Sequence, residues 1–348
     1  MFSHHTDSTP EMTITLCGPT LRATISPSRG AELLSLESLR TGSSWVELLH
    51  RAGDLAVPEG DSWQGRSPVL WPAVGRNFTA SQLAASSERP AECRYTPDHS
   101  APDASLPMPL HGFAKDVAWK AGGVAVAAEG VSATLVLESG DLPAELRAAY
   151  PFDFKANLTY TVHSTGLAVA ISVVNTGSAA AMPWSAGSHP TFRIPFQRAT
   201  YGDAAAEGAA WDASFFDGSH TIDLALTPCS CLSGEAKTHL APLSFGSFAD
   251  NVLGDSQQRT GAGASGTMSL HSPADGITVQ IDQSVAGAGL VGAELFFVLW
   301  GDRSAGFMCM EPWVGSPNSL NPEGRGAIVL GAGEEATWTH TYSVTHAL

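Results

Sequence analysis

Apolar residues recur at every second position in short runs along this chain. Leu21, Ala23 and Ile25 form one run, Leu167, Val169, Ile171 and Val173 another, and Ile277, Val279 and Ile281 a third. A period of two places alternate side chains on opposite faces, as in a strand with one buried side. Leu295–Leu299 is apolar throughout and of strand length. Thr134–Leu137, Leu158–Val162 and Thr337–Val344 read as further strands. Turn signals separate the runs, among them Pro27-Ser28-Arg29-Gly30 and Asn175-Thr176-Gly177. Segments with a helical period are nearly absent. Many short strands between Gly/Pro turns predict an all-β, antiparallel β-sandwich with little helix. A chain of 348 residues is long enough for two domains, yet all-β folds often exceed 200 residues as one unit. The strand pattern is alike on both sides of the Ser-, Pro-, Ala- and Asp-rich stretch 84–110, which reads as a long surface loop and not a linker. One domain is expected over 13–348, behind a polar, disordered tail at 1–12.

The formal net charge of −16 disfavours nucleic acid and anionic membrane surfaces as partners. Cys17, Cys93, Cys229, Cys231 and Cys309 are odd in number and irregularly spaced, which fits reduced thiols in an intracellular protein. Cys229 and Cys231 are too close in sequence for ordinary paired zinc ligands. The first twelve residues lack the apolar core of a secretory signal, and no apolar run could span a bilayer. A soluble, cytoplasmic protein is expected. There is no glycine-rich phosphate loop between a strand and a helix, and no nucleophile elbow.

Several residues stand where an apolar segment ends, and such positions can carry chemistry. His189 lies between Gly187-Ser188 and Pro190, with the proline biasing it towards extended backbone. A core histidine satisfied by a carbonyl is the competing reading. Glu311 follows Gly306–Met310 and precedes Pro312-Trp313, and the alternative for it is a solvated loop carboxylate. A carboxylate and a histidine so placed can work as base and acid. His111 sits beside Gly112 and Phe113, where a turn histidine is the simpler reading. Arg76 ends the segment from Val69 and offers a rigid fork of donors. Trp71, Phe113 and Trp313 read as core, but are also flat surfaces against which a sugar ring can rest.

His111-Gly112-Phe113-Ala114-Lys115, Gly187-Ser188-His189-Pro190-Thr191-Phe192 and Glu311-Pro312-Trp313-Val314-Gly315 together resemble the aldose 1-epimerase (galactose mutarotase-like) family. Arg29-Gly30-Ala31-Glu32-Leu33 and Pro68–Arg76 resemble it too, so the likeness runs from about Thr13 to Val344. It implies a galactose mutarotase-like supersandwich that binds a sugar without metal or organic cofactor, as a monomer or homodimer. The activity implied is that of an isomerase. Glu311 would take the proton of the C1 hydroxyl and His189 would protonate the ring oxygen. His111, Arg76, Asp250 and Trp313 would bind the sugar, with Asn251 the alternative to Asp250 if the register of Phe248–Asn251 shifts. Lys115 stands where the family's motif has arginine, which leaves open whether the aldose is free or phosphorylated. A free hexose or related aldose is favoured. The alternatives are a non-catalytic sugar-binding or regulatory protein, and a mutarotase for hexose 6-phosphates.

Overall fold

The computed structural model describes the chain except residues 8–11, 41–43, 51–64, 86–87, 100, 102–103, 179–180, 195–213, 216–219, 239–242, 245–249, 256, 273–274, 303–305 and 348. Its sheets are antiparallel, as the period-two runs require. The largest has nine strands among the described residues, and its central neighbours are Ile277–Gly287, Glu335–His346, Gly166–Asn175 and Phe154–His163. Along Gly166–Asn175 buried and half-buried residues alternate from Leu167 to Val173. Each of those apolar side chains contributes roughly 1.5–3 kcal/mol when fully buried. Helix is confined to Ala80–Ala85, Ala144–Ala149 and three short 3-10 turns among the described residues. No helix among them is long and apolar enough to cross a membrane.

A second sheet, of eight strands among the described residues, carries the residues of chemical interest. In order across it lie Leu232–Thr238, His220–Leu226, Asn251–Asp255, Leu295–Asp302, Phe307–Val314, Ala186–Ser188 and Val69–Leu70, with Thr191–Arg193 also paired to Phe307–Val314. Alternation divides this sheet into two faces. Leu253, Phe297, Leu299, Met308, Met310 and Val314 enter the main core. Leu70, Val252, Phe296, Val298 and Trp313 form a separate cluster on the opposite face. Leu295–Leu299 reads as continuously apolar because both faces of its strand are covered.

Two segments differ from expectation. Ser3–Asp7, within the expected tail, is a strand that pairs with Thr13–Cys17 at the edge of a five-stranded sheet. All five of its side chains are exposed, so backbone pairing alone holds it and no apolar alternation marked it. The expected loop 84–110 contains a small ribbon, Arg94–Tyr95 with Leu106–Pro107. Arg94 ties it together through hydrogen bonds from Nε to Ser105 Oγ at 3.0 Å and from Nη2 to the Ser105 carbonyl at 2.7 Å.

Candidate active site

The strand Phe307–Val314 aims Cys309, Glu311 and Trp313 away from the main core, because residues two apart share a face. Glu311 is 2% exposed. Trp313 lies two residues on, and its indole Nε1 donates a hydrogen bond to Glu311 Oε2 at 3.2 Å. Gly187 makes room for that indole: a Cβ there would stand 2.6 Å from Trp313 Cδ1. Trp313 was expected to carry the sugar, but it is almost fully buried and its observed contact aims the carboxylate.

His189 leaves the neighbouring strand Ala186–Ser188. Its N–H donates to the Pro68 carbonyl at 3.1 Å, and Thr191 N–H donates to the Arg66 carbonyl at 2.9 Å. Backbone bonds on both sides of Pro190 thus fix the imidazole. Its Nε2 stands 3.4 Å from Glu311 Oε1. Its Nδ1 is buried with no hydrogen-bond partner among the described residues, so Nε2 is the nitrogen with a partner. Burial opposes charge on both groups. It pushes His189 down to about 4 and Glu311 well above the usual carboxylate range, helped for Glu311 by the nearby Asp250 charge and opposed by the Trp313 hydrogen bond.

His111 reaches this pair from another segment. The bridge between Trp71 and Gly112 brings it in, and a Cβ on Gly112 would lie 2.2 Å from the Trp71 carbonyl oxygen. Glycine is therefore required beside this histidine. The backbone N–H of Gly75 donates to His111 Nδ1 at 3.1 Å. A neutral imidazole that accepts at Nδ1 carries its proton on Nε2. Burial, followed by the charges of His189, Lys115 and Arg76, holds His111 well below its ordinary value and keeps it neutral. Its ring lies 5.8 Å from that of His189 and 5.6 Å from that of Trp313, centre to centre.

The remaining expected residues border the same place. Arg76 acts electrostatically on both His111 and Asp250. Asp250 is raised by desolvation against the lowering charges of Arg76 and Arg89, and its exposed surface limits that shift. The charge of Asp250 acts on Glu311, while Asn251 Nδ2 donates to Asp223 Oδ2 at 2.9 Å. Phe248 and Ala249 lie outside the described residues. Lys115 is tied to Asp116 Oδ2 at 2.5 Å and lies 3.4 Å from the Gly112 carbonyl oxygen. Trp71 and Phe113 are core: Trp71 meets Phe113, Tyr150 and Phe154 at ring distances of 5.7, 5.6 and 4.6 Å.

Sequence reading missed three contributors. One is Gly75, which sets the His111 tautomer from the backbone and so has no side-chain signal. Another is Asn318, in the motif Ser316-Pro317-Asn318-Ser319, where Asn after Pro marks a turn. The third is Cys309, whose place two residues before Glu311 on a strand could have shown that both face one way. A ring nitrogen of His189, Cys309 Sγ and a Glu311 carboxylate oxygen all lie within 4.8 Å of one another. Those donor types suit zinc, although no metal was expected. Activity is expected to survive prolonged treatment with EDTA. Its loss, with recovery on adding one divalent metal, would assign the trio to a metal instead.

Residues 94–241 match the family model described as aldose 1-epimerase. The match covers less than half of the chain and names the same family that the motifs resemble. His111 and His189 lie inside the matched segment, whereas Arg76, Asp250, Glu311 and Trp313 lie outside it. Solved structures share the fold. A galactose mutarotase-like protein from Clostridium acetobutylicum has a TM-score of 0.69 at 17% identity, over 100% of this chain and 99% of its own. One from Lactobacillus casei has 0.67 at 21% identity, over 96% of this chain and 100% of its own. An aldose epimerase homologue from C. elegans has 0.62 at 15% identity, over 94% and 97%. No curated protein matches the chain.

Proposed function

We propose that the chain is an aldose mutarotase, interconverting the α and β anomers of a free hexose or related aldose by opening and reclosing the ring. The observation that carries this reading is the contact of His189 Nε2 with Glu311 Oε1 at 3.4 Å, inside a rim formed by His111, Arg76 and Asp250. Ring opening needs one proton taken from the C1 hydroxyl and one given to the ring oxygen. A buried pair that holds a single proton between two basic atoms supplies both. With that proton on His189, Glu311 takes the C1 proton and His189 protonates the ring oxygen. The pair is then left in its neutral form, which is the form needed to reclose the ring. Rotation about C1–C2 before closure gives the other anomer. His111 donates from Nε2 to a sugar oxygen, while Arg76 and Asp250 bind hydroxyls. A binding protein has no need of an acid and a base, which counts against the non-catalytic alternative.

The phosphorylated alternative has one observation in its favour, the second arginine charge, Arg89, acting beside Arg76 on Asp250. Against it, Lys115 is already engaged by Asp116. Lys115→Ala is expected to change KM for glucose, galactose and glucose 6-phosphate by less than about threefold each, the scale of an exposed ion pair. Polarimetry of freshly dissolved sugars checks this. A large rise confined to the phosphate ester would assign the site to sugar phosphates.

A further inference from the structure

We propose that Asn318 is a positioning residue. It locks the segment carrying Arg76, and through Gly75 the His111 imidazole, onto the loop that continues the Glu311 strand. The kinetic part of this inference rests on the mutarotase reading above.

Asn318 is fully buried and has φ of 65°, a left-handed conformation that asparagine and glycine tolerate. Its N–H donates to the Arg76 carbonyl at 2.9 Å, and its Oδ1 accepts from Phe78 N–H at 2.7 Å. One residue thus grips the chain on both sides of Asn77. Asn77 answers in kind, its Oδ1 accepting from Leu320 N–H at 3.2 Å. Pro317 closes the gap, since a Cβ on Gly75 would lie 3.2 Å from Pro317 Cβ.

The other edge of the same segment grips His111. Gly75 N–H donates to His111 Nδ1, and His111 N–H donates to the Gly75 carbonyl, both at 3.1 Å. Residues 75–78 are therefore held between His111 and Asn318. The Asn318 loop begins directly after Phe307–Val314, and Ser316 N–H bonds the Arg325 carbonyl at 2.9 Å. In this way the strand bearing Glu311 sets where Arg76 and His111 stand. The three come from distant parts of the sequence, and the 75–78 segment is the common brace.

Asn318→Gly tests this. Glycine keeps the backbone conformation and removes Oδ1, leaving Phe78 N–H without its acceptor. Losing such a bond costs on the order of tenfold in an equilibrium constant when it falls on binding. The expected result is a rise of about tenfold in KM, and in Kd by calorimetry, with kcat within roughly threefold. The control is Asn175→Ala. Asn175 is equally buried, and its side chain bonds Leu330 and Gly177 but nothing in the 75–78 segment or the Asn318 loop, so this variant is expected to lower Tm while leaving KM within about twofold. Equal KM effects in the two variants, or wild-type KM in Asn318→Gly with only a lower Tm, would overturn the proposal. If Asn318→Gly fails to fold, Asn77→Ala, which removes the reciprocal bond, is expected to raise KM in the same direction, and an unchanged KM would contradict the idea. A readout free of catalysis is the 15N spectrum of the histidine rings. His111 is expected to hold the Nε2–H tautomer in the wild type and to show a tautomer mixture in Asn318→Gly. An unchanged His111 signature would refute the brace even if the protein bound no sugar and the mutarotase reading had failed.

Discussion

Glu311→Gln is expected to lower kcat for mutarotation by at least about a hundredfold, with His189→Asn similar and sugar affinity changed modestly in both. Positioned proton-transfer groups typically contribute ~10²–10⁴-fold. That is roughly 3–5 kcal/mol of barrier at 1.36 kcal/mol per factor of ten. Glutamine keeps the carboxylate's size and can still accept from the Trp313 indole, so the loss reports proton transfer more than positioning. The double variant is expected to be much less than multiplicatively worse, because the two groups serve one event. Activity follows the pair's single proton. As pH falls through about 4, His189 takes a second proton and kcat drops. As pH rises through the raised value of Glu311, the last proton leaves and kcat drops again. The profile is a bell whose limbs belong to the pair. Steady-state polarimetry across pH checks both the magnitude and the shape. Near-wild-type turnover by folded Glu311→Gln would refute the base.

The second large effect concerns stability in acid. His340 is fully buried, stacked on Trp338 with ring centres 4.7 Å apart, and its Nε2 lies 3.2 Å from Tyr342 OH. Burial pushes it down to about 3. The unfolded chain takes up this proton as pH falls through about 6.5 and the folded chain does not, so stability present above that pH is lost towards the folded value. The raised Glu311 and the lowered His189 shift the linkage of the active-site pair in opposite directions. His111, held low by the same burial, adds acid sensitivity of its own, and it does so equally in a His340 variant, so comparing the two proteins isolates His340. The stability difference between wild type and His340→Gln is therefore expected to move against the wild type as pH falls, approaching about 1.4 kcal/mol per pH unit and totalling roughly 2.3 kcal/mol from pH 6.5 to 4.5. Urea unfolding of both proteins at several pH values measures it. Parallel stability curves would mean that His340 titrates normally in the folded protein.

The fold was legible because burial on one face of a sheet writes itself as alternation, as from Leu167 to Val173. Ser3–Asp7 escaped notice because an exposed edge strand buries nothing. At the site, side chains announced by Gly, Pro and aromatic neighbours could be picked out: His111, His189, Glu311 and Arg76. What the sequence could not convey was how they are held. The His111 tautomer is set by a backbone amide of Gly75, and Trp313 serves the carboxylate through its N–H. The Asn77–Asn318 lock joins residues far apart in the chain, which no local pattern records.

Exchange NMR on an equilibrated hexose tests the central claim most directly. Cross-peaks between the α and β anomeric protons report interconversion without any coupled enzyme or optical change. With catalytic amounts of the wild-type protein, glucose or galactose is expected to show exchange far faster than buffer alone, and Glu311→Gln is expected to abolish the gain. Line broadening from binding without any acceleration of anomer exchange, across the panel of free and phosphorylated hexoses, would contradict a mutarotase and leave a sugar-binding protein on the same scaffold.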